Sequence, residues 1–185
     1  MQQLADSIHA FDLHTLIAVQ SIGQSWYPVA WTLSAIIGSL WILIPVAVGA
    51  LLIIGKKRVA LEVLIISVVS ALFIFGLKAI IALPRPTLAD GILFQYDVGH
   101  DFGMPSAHAF LAVIVFGWLW FRHPKSLTLS IGAGAIIFLV GLSRVYLGVH
   151  YPSQVVVGWL LGFVCLYIFH LIDRRLWSPF QKKLL

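Results

Sequence analysis

The chain has 185 residues, of which 61% are hydrophobic and only 10% charged, with a formal net charge of +5. Soluble domains carry about 25% charged residues, so a composition this apolar excludes a surface meant mainly for water. The basic excess does not point to nucleic acid either, since beside long apolar runs it reads as the positive flanks of membrane spans.

The length allows one domain over 1–185, which a bundle of about five or six helices would nearly fill. The N-terminus lacks a basic stretch followed by a compact apolar one, so no cleavable signal peptide is expected. Residues 1–22 mix Asp6, His9, Asp12 and His14 with Ile, Leu and Phe. The segment from Leu4 to Ala18 is too short and too polar to span, and an interfacial helix is expected there. No Asp, Glu, Lys or Arg occurs between Asp12 and Lys56. That run is longer than a membrane crossing needs, and it predicts a first span from about Tyr27 to Ile54. A second runs from Val59 to Ala82 and is stopped by Pro84 and Pro86. After a polar loop from Thr87 to Met104, the third span starts at Pro105 and ends near Arg122. The turn His123-Pro124-Lys125 leads to a fourth from Leu127 to Ser143. The fifth runs from Pro152 to Ile172, and a basic tail occupies 177–185. The expected fold is all-α: a polytopic membrane bundle of five transmembrane helices plus the N-terminal interfacial helix.

Five alternating spans place Lys56, Lys57, Arg58, Arg122, Lys125, Arg174, Arg175, Lys182 and Lys183 on one side, nine of the twelve basic residues. By the positive-inside rule that side, with the C-terminal tail, faces the cytoplasm. Trp118, Trp120 and Trp177 at the inner ends and Trp26 and Trp31 at the outer end fit aromatic belts. Lys78, Arg85 and Arg144 are left at the opposite, extracytoplasmic face, together with His108 and His150. Ionisable groups at membrane depth are costly and point to function.

These residues fall into three groups. Lys78-Ala-Ile-Ile-Ala-Leu-Pro-Arg85-Pro86 puts two cations two turns apart on about the same helix side. Gly103-Met-Pro105-Ser106-Ala107-His108 opens the third span, and Pro105 suits a first helical position, leaving the next amides free for an anion. Ser143-Arg144-Val-Tyr-Leu-Gly-Val-His150-Tyr-Pro-Ser-Gln154 brackets the turn between the fourth and fifth spans. Three fixed cations neutralise phosphate oxygens, and two imidazoles allow one to attack phosphorus while the other protonates the leaving oxygen. Cys165 lies alone in an apolar run and no carboxylates cluster, so no metal site or cofactor is expected.

The order K-x6-R-P, P-S-x-H, S-R-x5-H resembles that of the type 2 phosphatidic acid phosphatase family, over roughly Lys78 to Gly162 by motif. Any one motif is weak, whereas three in order are specific. The resemblance implies that Lys78, Arg85 and Arg144 hold the phosphate, with Ser106, Ala107 and their amides. It implies His150 as the nucleophile, through a phosphohistidine, and His108 as the general acid. Two positions depart from the commonest pattern. Ala107 replaces the usual glycine, and Gln154 stands where most members have an aspartate that orients the nucleophile. A glutamine carbonyl still accepts from Nδ1–H and selects the tautomer, but it adds no charge. The dolichyl-diphosphatase and glucose-6-phosphatase branches of the family also carry glutamine there.

The expected substrate is an isoprenyl, undecaprenyl-type diphosphate hydrolysed at the extracytoplasmic face of a bacterial inner membrane, with the membrane and a lipid phosphate as partners and no nucleic acid. Alternatives are a phosphatidic acid or phosphatidylglycerophosphate phosphatase, a glucose-6-phosphatase-like enzyme, a lipid phosphotransferase and a noncatalytic lipid-binding or transport protein. Tyr146 and Tyr151 read as interface aromatics, and Asp97, His100 and Asp101 as a solvated loop. His9, His14, His123 and His170 read as structural or exposed. The Gly158 to Gly162 step fits close packing or dimerisation, which leaves the oligomeric state open.

Overall fold

The computed structural model describes residues 2–22, 40–95, 102–122 and 126–176. Among them the chain forms α1 (Gln2–Ile22), α2 (Leu40–Ile53), α3 (Lys57–Ile81), a 3-10 turn (Leu88–Asp90), α4 (Ala107–Arg122), α5 (Leu127–Tyr146) and α6 (Pro152–Leu176). The described residues contain no strand, as the all-α reading requires. By length and composition α3, α5 and α6 are long and apolar enough to cross a membrane, while α2 and α4 are shorter apolar helices. The 25 residues of α3 would reach about 37 Å, against a hydrocarbon core of about 30 Å. The start of the expected first span, the loop residues Asp97, His100 and Asp101, His123 and the tail 177–185 lie outside the described residues.

The bundle is organised around α4. From Ala109 to Val115 its side chains are all nearly inaccessible, because a helix apolar on every side is stable only when neighbours cover it on every side. Those neighbours are α3, α5 and α6. Their outward residues, Leu72 and Ile80 on α3, Leu127 on α5 and Leu160 on α6 among them, stay exposed. Apolar surface of that kind belongs against lipid. The Gly158–Gly162 step lies against α4: a Cβ at Gly158 would stand 2.6 Å from the Ser106 carbonyl, and one at Gly162 2.8 Å from Val113 Cβ. The step therefore serves packing inside the bundle. Toward the Arg122 end, an apolar groove of about 500 Å³ lies between α4, α5 and α6, lined by Gly117, Ala133, Gly134 and Phe163 among others.

At the end remote from Lys78, three helices are tied by charge. Arg122 of α4 donates to Glu62 of α3 at 2.7 Å and to Asp173 of α6 at 2.8 Å. Trp118 Nε1 also donates to Glu62, at 3.2 Å, and its ring lies under the Arg122 guanidinium. Trp118, itself buried, thus belongs to this network and not to an aromatic belt, because its N–H finds a carboxylate partner on a neighbouring helix.

The N-terminal helix has two distinct faces. Its outer stripe, with Leu4, Ile8, Phe11 and Ile22, is apolar and exposed. Its inner stripe, Asp12, Leu16 and Gln20 at helical spacing of four, is buried. That stripe packs α1 onto the ends of α5 and α6.

Candidate active site

Helix α3 ends where Ala82 turns to φ +51° and donates its N–H back to the Lys78 carbonyl at 2.9 Å. Pro84 and Pro86 then keep Arg85 off any helix, since proline disfavours helical geometry in the residue before it. Lys78 in the last turn is buried, 4% exposed, with Nζ 5.9 Å from the Phe75 ring. It does not reach outward as a snorkelling lysine does.

The second group departs from the expected start of its helix. The first helical residue is Ala107, and Ser106 is the cap, with Oγ 3.5 Å from the Ala109 N–H. Pro105 lies before the helix because the Ser106 N–H is already committed to the Gln154 carbonyl at 3.0 Å. That amide is not free for an anion. Ser106 and Ala107 are both buried, and His108, half-buried, stands on the first turn of α4.

Helix α5 runs to Tyr146, three residues past the expected end, which puts Arg144 in its last turn. Arg144 is buried, with Nε 3.1 Å from Ser143 Oγ. The turn to α6 passes through Gly148 at φ +65°, a left-handed conformation that favours glycine. A Cβ there would also stand 2.5 Å from the Phe94 carbonyl. In this turn the Val149 N–H donates to the Arg144 carbonyl at 3.2 Å, while the Val149 carbonyl accepts from Arg85 Nη1 at 2.8 Å.

His150, 1% exposed, is held at both ring nitrogens. Arg85 Nη1 donates to Nε2 at 3.1 Å, and Nδ1 donates to Gln154 Oε1 at 3.0 Å. An arginine cannot accept, so the imidazole is neutral with its proton on Nδ1 and its lone pair on Nε2. Burial, then Arg85, Lys78 and His108, holds its proton affinity well below the usual histidine range, against the upward pull of the Gln154 hydrogen bond.

The orientation of Gln154 follows from its partners. Oε1 accepts from Nδ1 and, at 3.3 Å, from the Tyr151 N–H, while Nε2 donates to the Pro84 carbonyl at 2.8 Å. An aspartate would supply the acceptor but not the donor. Gly103 makes room for this carboxamide, since a Cβ there would come within 2.6 Å of Gln154 Nε2 and of the Pro84 carbonyl. Gln154 therefore joins all three groups: Pro84 beside Arg85, Ser106 before His108, and His150.

Sequence reasoning missed Asp12, Gln20 and Gly103. Asp12 and Gln20 share one helical stripe, but their partners lie in distant segments of the chain. Tyr146 and Tyr151 are buried beside the turn, and Tyr151 donates to Asp90 at 3.1 Å, so neither is an interface aromatic.

The helical bundle, with a buried cluster of cations and histidines at one end, defines a polytopic membrane protein. The sequence profile of the PAP2 superfamily matches residues 58–178, and the chain belongs to that superfamily. Over 128 residues it is 34% identical to the undecaprenyl-diphosphatase of Sulfolobus acidocaldarius, covering 68% of this chain and 60% of that protein. Over 90 residues it is 31% identical to phosphatidylglycerophosphatase B of Bacillus subtilis, covering 49% of this chain and 44% of the relative. The chain thus matches about half the length of these curated relatives. The crystal structure of a transmembrane PAP2-type phosphatidylglycerolphosphate phosphatase from Bacillus subtilis superposes with a TM-score of 0.76 at 26% identity, over 92% of this chain and 88% of that one.

Proposed function

We propose that the chain is a membrane-embedded lipid phosphatase that works through a phosphohistidine on His150. The observation that carries this reading is the state of His150, whose Nε2 lone pair meets a phosphate-binding cation while Gln154 holds the Nδ1 proton. In the reaction, Nε2 attacks the terminal phosphorus and the bond to the leaving oxygen breaks. Arg85, Arg144 and Lys78 neutralise the equatorial oxygens, with the Ser106 hydroxyl beside them. His108 gives a proton to the leaving oxygen, then takes one from the water that cleaves the P–N bond. Positive charge that a metal ion would otherwise supply comes from these three side chains. Activity in excess chelator is therefore expected to match activity without it.

The substrate we propose is an isoprenyl diphosphate. Gln154 leaves the imidazole without the charge support of a carboxylate, which makes it a weaker nucleophile. Such a nucleophile suits a phosphoanhydride, whose leaving group is a stabilised phosphate, better than an ester, whose leaving group is an alkoxide. The similarity to an undecaprenyl-diphosphatase supports the same choice. A phosphatidylglycerophosphate phosphatase is the second reading, favoured by the Bacillus subtilis structural relative. The site lies at the end away from Arg58 and Arg122, which the positive-inside rule assigns to the extracytoplasmic face. Phosphate release by detergent-purified protein from undecaprenyl diphosphate, phosphatidylglycerophosphate and phosphatidic acid, with His150→Ala as control, tests both levels. Release from the polyprenyl substrate that disappears in the variant supports the proposal, and release undiminished in the variant overturns the nucleophile.

A further inference from the structure

We infer that Asp12 and Gln20 of α1 are positioning residues for phosphoryl transfer, clamping the nucleophile's turn from both ends. The inference rests on His150 as the nucleophile. The turn runs from Tyr146, the last residue of α5, to Ser153, the second residue of α6. At its far end Asp12 accepts from the Ser153 N–H at 2.8 Å and from the Ser153 hydroxyl. The first N–H groups of a helix have no partner within it, and a carboxylate is favoured there by the helix dipole. Asp12 therefore caps α6 from 141 residues away, within the stretch bounded by His150 and Gln154.

At the near end Gln20, with no exposed surface, donates to the Tyr146 carbonyl at 3.1 Å and to the Phe94 carbonyl at 2.7 Å. Its Oε1 accepts from the Leu93 N–H at 2.9 Å, so the same side chain also holds the loop that follows Arg85. Leu16 fills the space between the two grips and is fully buried.

A surface-anchoring helix requires none of this. Burying a carboxylate is costly unless its hydrogen bonds are satisfied. Asp12 moreover lines a cavity of about 650 Å³ together with Arg85 and Gln154, where a negative charge opposes an anionic substrate. That placement is accounted for by the position of Ser153, and through it of His150. The outer stripe of α1 can meet lipid while the inner stripe sets the catalytic turn, so one helix carries both roles.

The test compares Asp12→Ala, Asp12→Asn, Gln20→Leu, Phe11→Ala and His150→Ala in nanodiscs, with rates divided by the folded fraction from thermal unfolding. The substrate is farnesyl diphosphate or dioctanoyl phosphatidic acid, whichever the wild type hydrolyses faster. Asp12→Ala and Gln20→Leu are expected to lower kcat about 10- to 100-fold, with KM changed less than about threefold. Inhibition by vanadate, which takes the geometry of the transition state, should weaken by a similar factor while inhibition by inorganic phosphate holds. Asp12→Asn, which keeps one acceptor, should recover part of the loss, and Phe11→Ala on the exposed stripe should match the wild type. Wild-type kcat per folded molecule, a loss confined to KM, or equal weakening of vanadate and phosphate would overturn the clamp. Activity retained by His150→Ala would instead unseat the nucleophile, so the two failures are distinguishable.

Discussion

Arg85 donates to His150 through the very ring nitrogen that faces phosphorus in the proposed reaction, Nη1 standing 3.1 Å from Nε2. On that reading, the lone pair that would attack and a cation that would bind phosphate are hydrogen-bonded to each other. A phosphate oxygen competing for the guanidinium N–H would release that lone pair, so binding itself would unmask the nucleophile. Both bonds leave from the single nitrogen Nη1, whose two N–H directions the planar guanidinium fixes; a lysine keeps the charge but not that fixed geometry.

The same contact sets the response to pH. In the proposed reaction His150 attacks as the neutral imidazole, and burial together with Arg85 lowers its proton affinity. The acid limb of kcat/KM is expected well below the ordinary histidine value of about 6.5. Arg85→Ala removes a cation and Gln154→Asp adds an anion, so both should move that limb upward, as kcat/KM profiles of the three proteins would reveal. Stability follows the same sign. Between the lowered folded value and about 6.5 the unfolded chain binds the extra proton, so the contribution of His150 falls as pH drops through that window.

On the proposed mechanism, removal of His108 should hurt most where the leaving oxygen is most basic. His108→Ala is expected to slow hydrolysis of phosphatidic acid about 10²- to 10⁴-fold. For an isoprenyl diphosphate, which expels a phosphate, the loss should be at least tenfold smaller, on the order of the leaving-group advantage. Equal losses on the two substrates would remove His108 from the proton-transfer step.

Gly103→Ala forces a methyl group toward the Pro84 carbonyl and the Gln154 carboxamide, both within 2.6 Å of the new atom. Backbone cannot yield cheaply, and overpacking of this kind costs about 1–3 kcal/mol. Thermal unfolding should fall accordingly, and kcat should fall with it because Gln154 is displaced from His150. Gly76→Ala, where a Cβ meets nothing within 4 Å, is the control and should leave kcat unchanged while holding or slightly raising stability, since alanine favours a helix interior.

At the other end of the bundle, Arg122→Ala leaves Glu62 and Asp173 without their shared cation. The expected loss is about 2–4 kcal/mol, below that of a fully buried pair because all three side chains keep some exposure. Denaturation in detergent would measure it, and kcat per folded molecule should be unchanged.

Much of this was legible in the sequence. Apolar runs and prolines placed α3, α5 and α6 to within a few residues at most of their ends, because a lipid-facing helix leaves an unmistakable pattern. The spacing of Lys78, Arg85, His108, Arg144, His150 and Gln154 named the cluster before its geometry was known. What escaped reading depended on contacts between distant segments. Nothing local distinguishes Asp12 from a solvated aspartate, since its partner Ser153 is set by the packing of α1. Pro105 looked like a first helical residue, but the bond from Ser106 to Gln154 delays the helix to Ala107. Arg122 read only as a cation at the inner end of its span, because its two carboxylates come from helices far away in the chain.

The bonds at the two ends of the bundle also have a mechanical meaning. Arg122 ties α3, α4 and α6 at one end, and Gln154 joins the segments that continue α3 and begin α4 and α6 at the other. Three struts pinned top and bottom make a closed frame, and His108 and Gln154 ride on it. Arg144 rides on α5, which is joined to the frame at the same end, by the Val149 N–H on the Arg144 carbonyl and by Gly141, whose close packing on Trp159 leaves no room for a Cβ. The bonds that hold the cluster are thus also bonds that hold the bundle, and heat or a harsh detergent is expected to take activity and fold together.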